Sequence, residues 1–209
     1  MNRKRVAVLI SGRGSNMQAL VGAAIPGVRI AAVVSNRPHA AGLAFAAARG
    51  IPCAVVDHIR FADRAAFDAA LAETIDGYRP DLVVLAGFMR VLTPSFVRAW
   101  SGRLVNIHPS LLPKFPGTKT HERALAAGET EHGATVHLVV EEVDAGEIIG
   151  QASMPILPGD TPETLATRLL EAMRESSNAD RVAEVDVVQL KSDDIEWATA
   201  PIKFTVRDD

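Results

Sequence analysis

One cysteine, Cys53, is all the thiol this chain of 209 residues contains. Set within Ile51-Pro52-Cys53-Ala54-Val55-Val56, it excludes a disulfide framework and a thiolate metal cluster, and that usage fits a reducing cytosol. A large excess of charge of one sign is missing as well. The 22 Lys and Arg against 25 Asp and Glu leave a net charge of −3, and no basic block beyond Arg3-Lys4-Arg5 offers a footprint for nucleic acid. An anionic substrate must therefore be gripped locally. The apolar run behind that basic start ends at Ser11-Gly12-Arg13-Gly14, too short and too glycine-rich for a signal peptide or a membrane span. Internal repeats and low-complexity tracts are not evident. What is present, 48% hydrophobic and 22% charged residues, suits one compact domain with a substantial core.

Runs rich in valine and isoleucine recur at Val6–Ile10, Ile30–Val34, Cys53–Val56, Leu82–Ala86 and Leu104–Ile107, and each reads as a strand buried on both faces. Alanine-rich segments of helical period separate them: Asn16–Ala24, Ala41–Arg49, Ala62–Asp76 and Thr93–Trp100. This alternation predicts an α/β fold, a Rossmann-like, doubly wound and mostly parallel sheet built by right-handed crossovers. Ligands in such sheets bind beyond the carboxyl ends of the strands, near the point where strand order reverses.

The second half changes character. Pro116, Gly117, Gly128 and Gly133 mark loops around a short helix near Glu122–Ala127. Ala134–Val140 and Ile148–Ile156, parted by Asp144-Ala145-Gly146, read as an antiparallel hairpin. Thr161-Pro162-Glu163-Thr164 then opens a helix, with threonine as N-cap, proline in the first turn and an acid near the positive end of the dipole.

Two places carry chemistry. Ser11-Gly12-Arg13-Gly14-Ser15-Asn16 joins the first strand to the first helix, where backbone N–H groups favour a phosphate. Met17 stands where the last glycine of a dinucleotide fingerprint would fall, and Asp57 is too distant to serve as its ribose acid. That leaves a phosphate monoester as the favoured ligand, with a nicotinamide cofactor and a bare turn capped by Ser15 as alternatives. The second place is the fifth strand. Asn106 and His108, two residues apart on an extended chain, project from the same face and address one carbonyl. His108, His121, His132 and His137 lack the spacing of a zinc site, so no metal is expected. Asp144 reads as an ordinary turn aspartate unless the hairpin returns to His108.

The turn Gly12–Asn16, the strand end Ala86-Gly87-Phe88-Met89-Arg90, the run Asn106-Ile107-His108-Pro109-Ser110-Leu111-Leu112-Pro113 and Asp144-Ala145-Gly146 with Ile148, Ile149 and Gln151 together resemble the phosphoribosylglycinamide formyltransferase family. The likeness covers about residues 5 to 172 and is specific as a set. It implies transfer of a formyl group from 10-formyltetrahydrofolate to the amine of glycinamide ribonucleotide. It further implies that Gly14, Ser15 and Asn16 bind the substrate phosphate. Met89, Arg90, Val91, Leu92, Val97, Leu104, Val139, Val140, Glu141, Val143 and Asp144 would line the folate cleft. Asn106, His108 and Asp144 would form the catalytic trio: the Asn106 amide and a protonated His108 stabilise the oxyanion, and Asp144 favours that imidazolium. The implied partners are these two small molecules, with no nucleic acid, no membrane and no metal, in a cytoplasmic monomer or homodimer.

After Ala172 the sequence departs from the family pattern, so residues 1–172 are expected to form the formyltransferase domain and 173–209 a divergent tail. Met173 stands where the family carries a glutamate that contacts the ribonucleotide, and Leu170 where a polar residue often faces the phosphate. Val185–Leu190 and Ile202–Val206 read as two strands within that tail. Two other functions share the core: a formyltetrahydrofolate hydrolase, which usually begins with an extra regulatory domain, and a folate- or nucleotide-binding protein without catalysis. A methionyl-tRNA formyltransferase would carry a further basic domain that the acidic tail does not supply.

Overall fold

The computed structural model describes residues 3–175. Along the chain lie β1 (Lys4–Ile10), α1 (Ser15–Gly22), β2 (Val28–Ser35), α2 (Ala41–Ala47), β3 (Cys53–Val55) and α3 (Arg64–Gly77). They are followed by β4 (Leu82–Leu85), α4 (Pro94–Ala99), β5 (Leu104–His108), α5 (Thr120–Ala126), β6 (Glu131–Leu138), β7 (Ile148–Pro155) and α6 (Pro162–Glu175). The seven strands form one sheet in the order β3-β2-β1-β4-β5-β6-β7. Strands β1 to β5 pair in parallel, while β6 and β7 run antiparallel.

The doubly wound expectation holds, and β1 shows why its stretch Val6–Ile10 is apolar throughout. Val6, Val8 and Ile10 face a core layer with Met17 of α1 and Leu165 and Leu169 of α6. Ala7 and Leu9 face the opposite layer, with Phe67, Leu71 and Ile75 of α3 and Phe96 and Val97 of α4. A strand covered on both sides has no position left for water, so alternation disappears. From β1 the chain winds outward to β2 and β3, then returns to the other side of β1 at β4. The carboxyl ends of β1 and β4 therefore flank the switch-point crevice.

Several boundaries differ from the sequence reading. Gly133, expected in a loop, is a strand residue of β6. A Cβ there would lie 1.9 Å from the Ala152 carbonyl oxygen, so glycine is what lets β6 approach β7. The two strands are not joined by a tight turn at Asp144–Gly146; β6 stops at Leu138, and the connection occupies 139–147. Gly146 folds that connection back against β6, where a Cβ would meet the Leu138 carbonyl oxygen at 1.7 Å. Helix α5 starts at Thr120 rather than Glu122. The Thr161 cap is as expected, its Oγ1 accepting from the Thr164 N–H at 3.3 Å.

An apolar cavity of about 340 Å³ lies on the α1 face of the sheet, lined by Leu20, Val21, Ile25, Val105, Ile107 and neighbours. Arg49 is the one charged residue in its lining among the described residues, so the polar chemistry lies elsewhere. The expected strands Val185–Leu190 and Ile202–Val206, and the side chain of Met173, lie outside the described residues.

Candidate active site

On β5 the period of two separates core from chemistry. Val105 and Ile107 enter the apolar layer beside α1 and α6, which turns Asn106 and His108 to the other face. Antiparallel pairing sets Asn106 opposite His137 and His108 opposite Thr135. Asp144 arrives from the 139–147 connection with a left-handed φ of 55°, a conformation aspartate tolerates better than most residues. Two anchors fix that connection: the Val139 N–H donates to the Leu104 carbonyl at 2.9 Å, and Arg98 of α4 pairs with Glu141 at 2.6 Å.

The hairpin does return to His108. Asp144 Oδ2 lies 3.3 Å from His108 Nδ1 and accepts the Gly117 N–H at 2.8 Å. Its Oδ1 accepts from Asn106 Nδ2 at 3.4 Å and lies 3.5 Å from His137 Nε2. Asn106 Nδ2 also reaches His137 Nε2 at 3.2 Å. The Asp144 side chain is 9% exposed. Burial acts to raise its pKa, but His137, the Gly117 amide and the charge of His108 act against it, leaving the carboxyl below its ordinary value.

The loop after His108 closes over the trio. His108 Nε2 donates to the Phe115 carbonyl at 3.0 Å, while Ser110 Oγ donates to the Lys114 carbonyl at 2.7 Å. Gly117 and Phe115 both take positive φ in this loop. In this arrangement both ring nitrogens of His108 face acceptors, and both N–H bonds of Asn106 are directed at Asp144 and His137. Neither side chain has a donor to offer another oxygen unless one of these partners is replaced. The 3.4 Å bond from Asn106 to Asp144 is the weakest of the donors' hydrogen bonds by length.

Two strands away, the Ser11–Asn16 turn forms the second half of the site. Gly14 caps α1 with a φ of 70° and no side-chain hydrogen bond, so Ser15 is the first residue of the helix and not its cap. The first helical bond runs from Gln18 N–H to the Gly14 carbonyl at 2.8 Å. The amides of Ser15, Asn16 and Met17 are thus free of helical partners. Met17 is fully buried beneath the turn, which accounts for the missing third glycine. Ser11 Oγ donates to Asn36 Oδ1 at 2.6 Å and accepts the Met89 N–H at 2.7 Å, tying the ends of β1, β2 and β4 together. A cavity of about 260 Å³ is lined by Ser11 to Asn16, Arg37, Ala86, Gly87 and Met89. It brings Gly14, Ser15 and Asn16 to one space with the first of the expected folate residues.

The remaining expected folate residues divide by depth. Met89, Val91, Val140 and Val143 are exposed apolar side chains on the rim. Leu92, Val97 and Leu104 are buried in the layer beneath, with Leu104 at 0% exposure. The Nε of Arg90 is buried without a partner among the described residues. Sequence reasoning passed over Arg37, Gly117 and His137 as site residues, and placed Ser11 in the turn without its hydrogen bonds. His137 had a signal, since Thr135 and His137 put polar groups on alternate positions of the otherwise apolar stretch Ala134–Leu138. Gly117 and Arg37 had none, because loop closure brings them in. No group of His, Cys, Asp or Glu among the described residues is placed to hold a metal ion, and no helix among them is long and apolar enough to cross a membrane.

A glycine-rich turn at the switch point and a clustered amide, imidazole and carboxylate two strands away stand on one doubly wound sheet, the arrangement of a candidate acyl-transfer site. The chain belongs to the formyl transferase family, whose model matches residues 4–177. It is 48% identical over 168 residues to phosphoribosylglycinamide formyltransferase of Escherichia coli, covering 78% of this chain and 79% of that one. The solved structure of phosphoribosylglycinamide formyltransferase from Coxiella burnetii aligns with a TM-score of 0.77 and 53% identity, covering 81% of each chain. The trifunctional purine biosynthetic protein adenosine-3 of Drosophila melanogaster is 53% identical over 175 residues, 81% of this chain; the chain spans only 13% of that protein's length. A formyl transferase requires a folate-type formyl donor.

Proposed function

We propose that the chain transfers the formyl group of 10-formyltetrahydrofolate to the amino group of glycinamide ribonucleotide, the reaction named for its bacterial relatives. The observation that carries this reading is Asp144 bridging His108 at 3.3 Å and Asn106 at 3.4 Å. The phosphate turn stands two strands away, about 10 Å at the usual strand spacing. A ribonucleotide anchored by its phosphate at Gly14, Ser15 and Asn16 extends its amine along the strand ends toward that cluster. The exposed Met89, Val91, Val140 and Val143 supply an apolar rim for the folate rings.

The amine nitrogen attacks the formyl carbon and the carbonyl oxygen takes up the electron pair. The Asn106 N–H released from Asp144 and a protonated His108 released from the Phe115 carbonyl donate to that oxyanion. The bond from the formyl carbon to the folate N10 then breaks. The proton lost by the attacking amine passes through Asp144 or a water beside it to the leaving nitrogen. Atoms and charge balance without an acyl-enzyme, and the oxyanion collapses to the amide of the product.

The substrates are small molecules, and the lone cysteine favours a reducing cytosol. Formyl transfer is followed spectroscopically with 10-formyltetrahydrofolate, with and without glycinamide ribonucleotide. Acceptor-dependent turnover is the expected result. Turnover without acceptor would assign a hydrolase, and folate binding with no turnover would assign a binding protein.

A further inference from the structure

We propose that His137 is a positioning residue whose tautomer sets the orientation of the Asn106 amide, an inference that rests on the formyl-transfer reading of the site. His137 sits opposite Asn106 in the β5–β6 ladder and is 2% exposed. Its Nδ1 lies 2.8 Å from the Leu138 carbonyl oxygen. A carbonyl only accepts, so that nitrogen carries a proton, and in the neutral ring Nε2 is left as a bare acceptor.

Asn106 Nδ2 stands 3.2 Å from this acceptor and 3.4 Å from Asp144 Oδ1. Turning the amide over would bring its oxygen against a ring lone pair and a carboxylate oxygen, two repulsive contacts in a buried site. The His137 tautomer therefore holds the NH2 group toward the reaction centre. One N–H is anchored on His137, and the other exchanges between Asp144 and the substrate oxygen. A protonated His137, the form in which it would help hold the Asp144 carboxyl low, would reverse this by donating to Asp144 across their 3.5 Å separation and competing with the amide for the same oxygen.

Nitrogen-15 NMR of histidine-labelled, unliganded protein near neutral pH reads the tautomer, with His137→Gln assigning the signals. A protonated Nδ1 and bare Nε2 are expected; an Nε2–H tautomer or a doubly protonated ring overturns the proposal. In kinetics, His137→Leu is expected to lower kcat by about 10- to 100-fold with the KM for folate within about twofold. His137→Gln, whose amide oxygen still accepts from Asn106, should recover about tenfold of that loss. In an Asn106→Ala background the His137→Leu change should cost almost nothing further. Unchanged kcat in His137→Leu, or full additivity with Asn106→Ala, would overturn the positioning role. The NMR result needs neither substrate nor a folded leucine variant, so it separates failure of this inference from failure of the formyl-transfer reading.

Discussion

Gly42 of α2 and Gly14 of the Ser11–Asn16 turn, the proposed phosphate site, meet backbone to backbone. A Cβ added to Gly42 would lie 3.2 Å from Gly14 Cα, 3.2 Å from the Arg13 carbonyl oxygen and 2.6 Å from Ile10 Cδ1. Ile10 is fully buried, so its methyl has little room to retreat and the turn must move instead. Gly42→Ala is therefore expected to act as an overpacking mutation, costing roughly 1–3 kcal/mol in stability. It should also raise KM for the ribonucleotide several-fold while kcat changes little. Chemical denaturation and steady-state kinetics on one preparation check both, and an unchanged KM would show that the turn does not hold the phosphate.

Asp144 contacts both His108 and Asn106, so the three are expected to act as a unit. Asp144→Asn keeps the shape but removes the charge that faces His108 at 3.3 Å, and His108→Ala removes the donor itself. Each is expected to reduce turnover by roughly a hundredfold or more. In His108→Ala, folate affinity measured by fluorescence quenching should stay near that of the unmodified protein, since none of the expected folate residues is touched. The double variant should fall little below the worse single one. Turnover near the unmodified rate in either single variant would remove these residues from the chemistry.

How much of this was legible in the sequence differs from element to element. The β1 to β5 layer was, because strands buried on both faces are continuous apolar runs such as Val6–Ile10. The parallel winding followed from the helices between them. Asn106 and His108 were found by a period of two, which is local. Asp144 was recognised through resemblance, since its neighbourhood depends on the 139–147 connection folding back at Gly146, where a side chain would collide with Leu138. Gly133 misled for the same reason in reverse: it looked like a loop signal and is a close-packed strand position. Arg37 and Gly117 reach the site only through the tertiary path of β2 and of the loop after His108. Patterns within a few residues carry no trace of that path.

Arg13 and Arg37 both line the cavity at the phosphate turn. Neither guanidinium has an acidic partner among the ion pairs of the described residues. A phosphate monoester near neutrality carries between one and two negative charges, so two arginines and the start of a helix match it. Arg37→Ala should raise KM for the ribonucleotide and leave kcat close to that of the unmodified protein. It should also flatten the rise of KM with added salt, because a screened charge pair has been removed. Ser15→Ala should raise the same constant without changing the salt dependence. Measurement of KM from low to moderate ionic strength separates the two, and parallel salt curves for Arg37→Ala and the unmodified protein would place that arginine outside the site.

His132 and His121 join β6 to α5 near the trio, with His132 Nε2 2.8 Å from His121 Nδ1. His132 is 1% exposed. Burial first, and then the charges His121 and His108 would carry, push its pKa down from 6.5 to about 4; burial lowers that of His121 as well. A base with a depressed folded-state pKa binds a proton more readily when unfolded. The native state is thus favoured above the unfolded value of 6.5, and this advantage is lost as pH falls from there toward 4. The slope for one such group approaches ~1.4 kcal/mol per pH unit. Asp144 works in a different window, since its carboxyl lies below 3.8 and its contribution is lost only on further acidification. Urea unfolding at several pH values across this range should show the decline in the unmodified protein. In His132→Gln, which removes the depressed group, a shallower decline is expected. Equal slopes in the two proteins would mean that the buried pair is not what acid breaks first.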